Sequence, residues 1–299
     1  MLALPRTIEF VEVGPRDGLQ NEAVLVSTAD KVELIRRAIA AGVRRIEVAS
    51  FVNPSKVPQM ADAEAVVAAL GKPAGVTRIG LVLNQRGAER ALASGVDQLG
   101  AVAVASDEFG VRNQGQSSAE SVAEAARIIA LAKDAGVSAQ VTIAAAFGCP
   151  FSGAVDPAQV VRMAKALAQA GPAEIALADT IGVAVPAEVT ALVTAVRAAI
   201  APLPVRVHFH NTRGTGIANV WAALEAGASV VDGSIGGLGG CPFALGAAGN
   251  VASEDVAYML ERSGIATGLN LAQLVECAHW LGGVMGKDMP SMLSKAGAS

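Results

Sequence analysis

The sequence predicts an α/β chain closed into a (β/α)8 TIM barrel, with one extra helix at its C-terminal end. Three observations carry that expectation. Short β-branched runs alternate with alanine-rich stretches of helical periodicity about eight times, the pattern of repeated βα units. The first strand runs into Gly14-Pro15-Arg16-Asp17-Gly18 rather than the glycine fingerprint that an open dinucleotide-binding sheet carries after its first strand. Polar residues gather where strands end, and in a barrel the carboxyl ends of the strands form the functional face.

Taken in order, the strands are expected at 8–13, 45–49, 78–83, 98–104, 138–145, 174–178, 205–208 and 229–232. Helices are expected near 28–41, 60–70, 86–94, 118–135, 157–170, 187–200, 216–226 and 253–263. Ser27 and Asp156 read as N-caps, the second followed by Pro157 at the first helical position, where a missing N–H costs nothing. Gly42, Gly95, Gly136 and Gly171 follow helices as left-handed C-caps do. The extra helix, near 270–285, carries Cys277 and His279 and is expected to pack on the barrel. No linker or low-complexity tract divides the chain, so residues 1–299 read as a single domain.

Composition narrows the function classes. A chain of 299 residues that is 52% hydrophobic can bury a large aliphatic core, and a net charge of −4 without a basic stripe gives nucleic acid no electrostatic footing. Glu174, Asp179, Pro186 and Glu188 break the most apolar stretch, so no membrane span is expected. No secretory signal opens the chain, and three cysteines, an odd number, argue against a disulfide framework; a reducing cytoplasm is the expected location.

Candidate functional residues sit at strand ends. His208 and His210, two of only three histidines, are two positions apart at the end of strand seven and share a face there. Imidazole and carboxylate are standard ligands for a divalent metal, and Asp17, after strand one, offers the carboxylate. Arg16 beside it suits oxyanion stabilisation, and Glu47, inside an apolar strand, needs a partner that Arg16 can be. Asp179 and Thr180 end strand six; Asp179 also reads as a cap of the following helix. After strand eight comes a glycine-rich stretch, residues 236–250, suited to a mobile lid whose thiol, Cys241, can transfer a proton. Cys149, in the similar Gly148-Cys149-Pro150-Phe151, reads as turn chemistry.

With Ser50-Phe51-Val52, Asp179-Thr180-Ile181-Gly182-Val183, the His208-x-His210 pair and the Gly-Gly-Cys-Pro-Phe stretch leading to Asn250, the block from Gly14 to Glu22 resembles the 3-hydroxy-3-methylglutaryl-CoA lyase family along essentially the whole chain. The resemblance implies cleavage of that thioester to acetyl-CoA and acetoacetate, the last step of leucine breakdown, at a Mg2+ or Mn2+ ion held by Asp17, His208 and His210 with Asn250 as a further ligand. Such an ion would chelate the substrate's tertiary hydroxyl and a neighbouring carbonyl, lowering the hydroxyl pKa. Asp17, His208 or a bound water would then be the base, Arg16 steadied by Glu47 would stabilise the enolate, and Cys241 would protonate it. Zinc is disfavoured by a cysteine that must keep a proton to transfer and by the oxygen that Asn250 adds. Gln20, Ser50 and Asn113 are further candidates for substrate contacts, and a homodimer or higher homo-oligomer is the family expectation, with the apolar surface around Trp280-Leu281 as a candidate face.

The chain departs from better-known members at Ala23, where they carry lysine, at Asn211 and Arg213, where they often read Asp and Tyr, and at Leu245, where proline is common. Arg213 is expected to contact an anionic group of the acyl-CoA, because loops after strands seven and eight often form the phosphate site of barrels. Other readings are a lyase for a related branched 3-hydroxyacyl-CoA and a Claisen-type condensing enzyme, although such synthases usually carry an accessory C-terminal region. A barrel that only binds acyl-CoA is disfavoured by the intact set Arg16, Asp17, Glu47, His208, His210 and Cys241.

Overall fold

A computed structural model describes residues 4–240 and 249–297. Its eight strands are β1 (Glu9–Glu12), β2 (Arg45–Ser50), β3 (Thr77–Val82), β4 (Gln98–Val104), β5 (Ser138–Ala144), β6 (Ile175–Asp179), β7 (Val205–Phe209) and β8 (Val230–Gly233). They close in chain order, and β8 pairs in parallel with β1 from Glu9↔Val230 to Glu12↔Gly233. The expected TIM barrel is therefore the observed one.

The helices are α1 (Thr28–Ala40), α2 (Ala63–Leu70), α3 (Gln85–Ala93), α4 (Asp107–Gln114), α5 (Ser118–Asp134), α6 (Pro157–Gln169), α7 (Pro186–Ile200), α8 (Gly216–Glu225), α9 (Ser253–Arg262), α10 (Leu271–Met285) and α11 (Met292–Ala296). Ser27 accepts from the Asp30 amide and Asp156 from the Ala158 amide, so both expected caps form. Two helices were not foreseen. The segment of α4 is too short and polar to show a helical period, yet the Ser106 hydroxyl caps its start and Gly115 (φ +73) its end. The single turn and a half of α11 is started by Ser291 and held by Asp255 of α9, which accepts from the Leu293 amide at 2.7 Å. The extra helix α10 packs on the chain's own barrel: Leu281 is fully buried and Trp280 lies under the Arg37 guanidinium of α1, 4.8 Å from the ring centroid. Among the described residues, no helix is long and apolar enough to cross a membrane.

The main core lies between sheet and helices and takes Ile46 and Val48 of β2, Val207 and Phe209 of β7, and Val231 of β8. Strand side chains alternate, so the residues between these point into the barrel. Those residues are Arg45 and Glu47, Arg206 and His208, and Val230 and Asp232. A small cluster of Val11, Val13, Ile79 and Val230 adds an apolar patch to the lumen. Arg45 reaches across it to grip Glu174, just before β6, through two bonds of 2.9 and 3.0 Å, and also donates to Gln98 and Gln140. Arg206 faces Glu47, Glu174 and Asp232 at 3.4–3.6 Å. The lumen is therefore a stack of buried charges, and each needs its partner.

Glu174→Ala leaves two buried guanidinium groups short of one anion. It is expected to destabilise the protein by about 3–5 kcal/mol, read as a lower urea midpoint, with Glu174→Gln milder because the amide still accepts from Arg45.

Candidate active site

The turn after β1 puts two charged side chains at the carboxyl mouth of the barrel. The amides of Arg16, Asp17 and Gly18 all point at the Val13 carbonyl, at 3.1, 2.7 and 3.2 Å, which coils residues 14–18 into one wide turn. Glu12 fixes that turn from below: its Oε1 accepts from the Gly14 amide at 2.7 Å and the Ile235 amide at 3.0 Å, and its Oε2 from the Ser253 hydroxyl at 2.6 Å. One buried carboxyl group thereby ties the Arg16-Asp17 turn to the start of the 236–250 stretch. Without an opposing cation, burial pushes the Glu12 pKa up to about 8, against the pull of its three donors.

The Arg16 guanidinium sits between Glu47, to which Nε donates at 2.6 Å, and the Asp17 carboxylate, with which Nη1 pairs. Burial opposes both charges, but Arg16 and the two histidines hold Asp17 well below the usual carboxylate range. The second oxygen of Asp17 faces His208 Nε2 at 3.9 Å and His210 Nε2 at 3.8 Å. It also accepts from Asn250 Nδ2 at 2.9 Å.

These groups fit a divalent cation. One atom each from Asp17, His208 and His210 lies within 4.8 Å of the others, a span that one ion bound at about 2.1–2.2 Å can bridge after small closure. Asn250 pairs with His210 in an isolated bridge; its Nδ2 is anchored on Asp17 and on the Leu238 carbonyl, and its buried Oδ1 has no hydrogen-bond partner among the described residues. Burial and the neighbouring His208 charge push the His210 pKa down to about 4, which leaves its imidazole neutral and able to ligate. The close approach needs glycine: a Cβ at Gly239 (φ +115) would meet Asn250 Nδ2 at 2.5 Å and the Asp17 carbonyl at 3.2 Å.

Asp232 is a site residue that motif reading passed over. Its Oδ1 lies 2.8 Å from His208 Nδ1, which leaves Nε2 turned toward Asp17, the carboxylate–imidazole arrangement that orients metal ligands. Burial disfavours a charged His208, but Asp232 and Asp17 outweigh it and raise the pKa. The available signal was the alternation of β8, which sets Asp232 on the lumen face.

Other expected contacts divide. Ser50 Oγ and Gln20 Oε1 are buried without a hydrogen-bond partner among the described residues, as groups awaiting a ligand would be. Asn113 is exposed on α4, after β4. Asp179 and Thr180, expected to touch substrate, also bond to the scaffold. The fully buried Asp179 carboxylate accepts from the Val183 and Ala184 amides at 2.9 and 3.0 Å, and Thr180 Oγ1 accepts from the Ala145 amide at 2.9 Å. Arg213, expected at the start of a helix facing an anion, lies before α8 and donates through Nη1 to the carbonyls of Ile181 and Gly182. Those bonds serve the loop after β6, because carbonyls freed at a strand end need donors. Cys149 is buried and accepts from Ser106 Oγ at 2.9 Å. Cys241 and Leu245 lie outside the described residues.

The HMGL-like family model matches residues 7–281. The chain is 42% identical over 300 residues to the (R)-citramalyl-CoA lyase of Chloroflexus aurantiacus, covering 97% of this chain and 95% of that one. It is 42% identical to the 3-hydroxy-3-isohexenylglutaryl-CoA/hydroxy-methylglutaryl-CoA lyase of Pseudomonas aeruginosa, covering 98% of each. Among solved structures, an HMG-CoA lyase of Acinetobacter baumannii in complex with coenzyme A and 3-methylmalate superposes with a TM-score of 0.94 at 38% identity, covering 99% of this chain and 97% of that chain.

Removing an imidazole tests the ligand set: His210→Ala is expected to weaken Mn2+ binding about a hundredfold or more, measured by calorimetry, while the fold persists. Glu12 gives a pH signature. Its pKa in the fold, about 8 against an ordinary 4.5, means that the folded state holds a proton the unfolded chain has released. Its contribution is therefore complete below the ordinary value and lost as pH rises toward about 8. Glu12→Gln should flatten the fall in Tm between about pH 5 and pH 8 by several degrees.

Proposed function

The chain belongs to the HMGL-like family, and from that membership we propose that it is a carbon–carbon lyase cleaving 3-hydroxy-3-methylglutaryl-CoA to acetyl-CoA and acetoacetate. The observation that carries the reading is the meeting of Asp17, His208 and His210 at the barrel mouth, one residue from a guanidinium held by Glu47. The family's solved complex with coenzyme A supports an acyl-CoA substrate.

A divalent cation held by Asp17, His208, His210 and Asn250, Mg2+ or Mn2+, would act as a Lewis acid on the substrate's hydroxyl and carbonyl oxygens. The chain's own groups do the rest. The C3 hydroxyl proton goes to a base drawn from Asp17, His208 or a bound water. The C2–C3 bond then breaks, its electron pair passing to the thioester as an enolate while C3 becomes the ketone of acetoacetate. Arg16, kept in place by Glu47 and Asp17, stabilises the enolate oxygen with a fixed positive charge. Cys241 returns a proton to the enolate carbon, giving acetyl-CoA. Gln20, Ser50, Asn113, Asp179, Thr180 and Arg213, with Arg16, are assigned to substrate contact. The reading extends to a single functional domain over residues 1–299, a homodimer or higher homo-oligomer, a cytoplasmic location and a place in leucine degradation.

A second substrate has a specific observation behind it, the likeness to a citramalyl-CoA lyase. Citramalyl-CoA carries its free carboxylate directly on the carbinol carbon, one methylene shorter than in the glutaryl compound. The same bond cleavage would give pyruvate and acetyl-CoA.

Purified protein with Mg2+ should release acetyl-CoA and acetoacetate from 3-hydroxy-3-methylglutaryl-CoA, followed by mass spectrometry, and chelation should abolish the release. Faster metal-dependent release of pyruvate from citramalyl-CoA would move the assignment to the second substrate. No metal-dependent cleavage of any branched 3-hydroxyacyl-CoA would remove the lyase reading.

A further inference from the structure

Arg206 stands two residues before His208 on β7, on the same face, with 1% of its surface exposed. It touches none of the groups at the mouth. Its Nε lies 3.4 Å from Asp232 Oδ2, its Nη2 lies 3.5 Å from Glu47 Oε1, and Nη2 donates to Thr142 Oγ1 at 3.1 Å. The other oxygen of Asp232 meets His208, and the other oxygen of Glu47 meets Arg16. An unbroken path of alternating charge therefore runs from Asp17 through Arg16, Glu47, Arg206 and Asp232 to His208. The imidazole at its far end is 3.9 Å from Asp17, where the path began. Below the mouth, Arg206 joins the two arms, the arm that holds the guanidinium facing substrate and the arm that orients a metal ligand.

We propose that Arg206 is a positioning residue for this site: by holding the Asp232 and Glu47 carboxylates from behind, it sets the orientation of the His208 imidazole and of the Arg16 guanidinium together. The proposal rests on the lyase reading above for the roles of His208 and Arg16. Its physical basis is geometric. A planar guanidinium can face two carboxylates with different edges at once, whereas an ammonium is a single compact point charge. Without that fork, Glu47 and Asp232 each keep a charged neighbour toward the mouth but lose the support that fixes their planes. The two side chains they orient can then turn.

The test compares Arg206→Lys, which keeps the charge and loses the fork, with Arg206→Met. Arg206→Lys is expected to fold with a Tm near wild type. Its Mn2+ affinity, measured by calorimetry on metal-free protein, should fall about tenfold, at the lower end of the range found for direct partners of metal ligands. Its kcat should also fall at least about tenfold with KM nearly unchanged, since orientation and not substrate binding is disturbed. Asp232→Asn should weaken Mn2+ binding on its own, and adding Arg206→Lys to it should cost little more, because both act through His208. An Arg206→Lys protein with wild-type Mn2+ affinity and wild-type kcat overturns the proposal, as does a loss of stability with both unchanged. If Arg206→Met does not fold, Arg206→Lys decides; if neither folds, Arg206 serves the fold and the proposal fails. Wild-type protein that binds no Mn2+ would instead remove the site reading, and this proposal with it.

Discussion

Charge compensation inside the barrel is the constraint on which the rest of this structure depends. A barrel lumen is ordinarily filled by branched aliphatic side chains. Here Arg45, Glu47, Arg206 and Asp232 occupy lumen positions of β2, β7 and β8, joined by Glu174 from the foot of β6. An isolated ion in such a place costs several kcal/mol, so each must be positioned within reach of an opposite charge. That requirement couples strands that are not neighbours: β2 to β7 through Glu47 and Arg206, and β2 to the start of β6 through Arg45 and Glu174. Strand register and barrel closure are fixed by ions as well as by hydrogen bonds.

The same compensation shapes the mouth. Arg16 is held by a lumen carboxylate beneath it and by Asp17 beside it, and His208 by Asp232 beneath it. Groups held in this way need little rearrangement when charge develops near them, which is the condition for electrostatic stabilisation of an anionic intermediate. Glu12 performs a parallel task with neutral donors. Its carboxyl group joins the Gly14 and Ile235 amides, so the turn that carries Arg16 and Asp17 and the segment leading toward Cys241 share one anchor.

Much of this was legible in the sequence, and the limits have physical causes. The eight βα units, the Ser27 and Asp156 caps and the polar strand ends follow from local periodicity and turn chemistry, which neighbours in sequence encode. The pairing of Glu47 with Arg16 followed from the cost of a lone buried carboxylate. Arg206 and Asp232 were passed over although the signal was present. The alternation that aligned His208 with His210 extends back to Arg206 and applies equally to Asp232, but an alternating strand is usually read with its apolar face toward the core. In this barrel both faces are buried, and on β2 and β7 the apolar residues turn outward under the helices while the polar ones turn inward. Asp179, Thr180 and Arg213 carry a structural duty that motif reading does not display, for a related reason. Strand ends carry chemistry, but they also leave amides and carbonyls without ladder partners, and these three side chains satisfy such groups. α4 escaped because a helix of eight residues held by its caps has too little length to display a period.

The depth of the charged stack bears on why it exists at all. Replacing a buried ion network by well-packed apolar residues is often neutral or stabilising, so stability alone gives little reason to keep one. Arg45 and Glu174 lie at the foot of the lumen, far from any substrate at the mouth, yet Glu174 also faces Arg206. Once Arg16 and His208 require anionic supports in the next layer, those supports require a cation below them, and that cation requires an anion below it. Each layer's charge follows from the one above, and the series ends only where Arg45 reaches the half-exposed Glu9 carboxylate at the amino-terminal opening of the barrel. On this view the polar lumen is the consequence of placing a fixed guanidinium and an oriented imidazole at the mouth, carried through the barrel until solvent can take up the remainder.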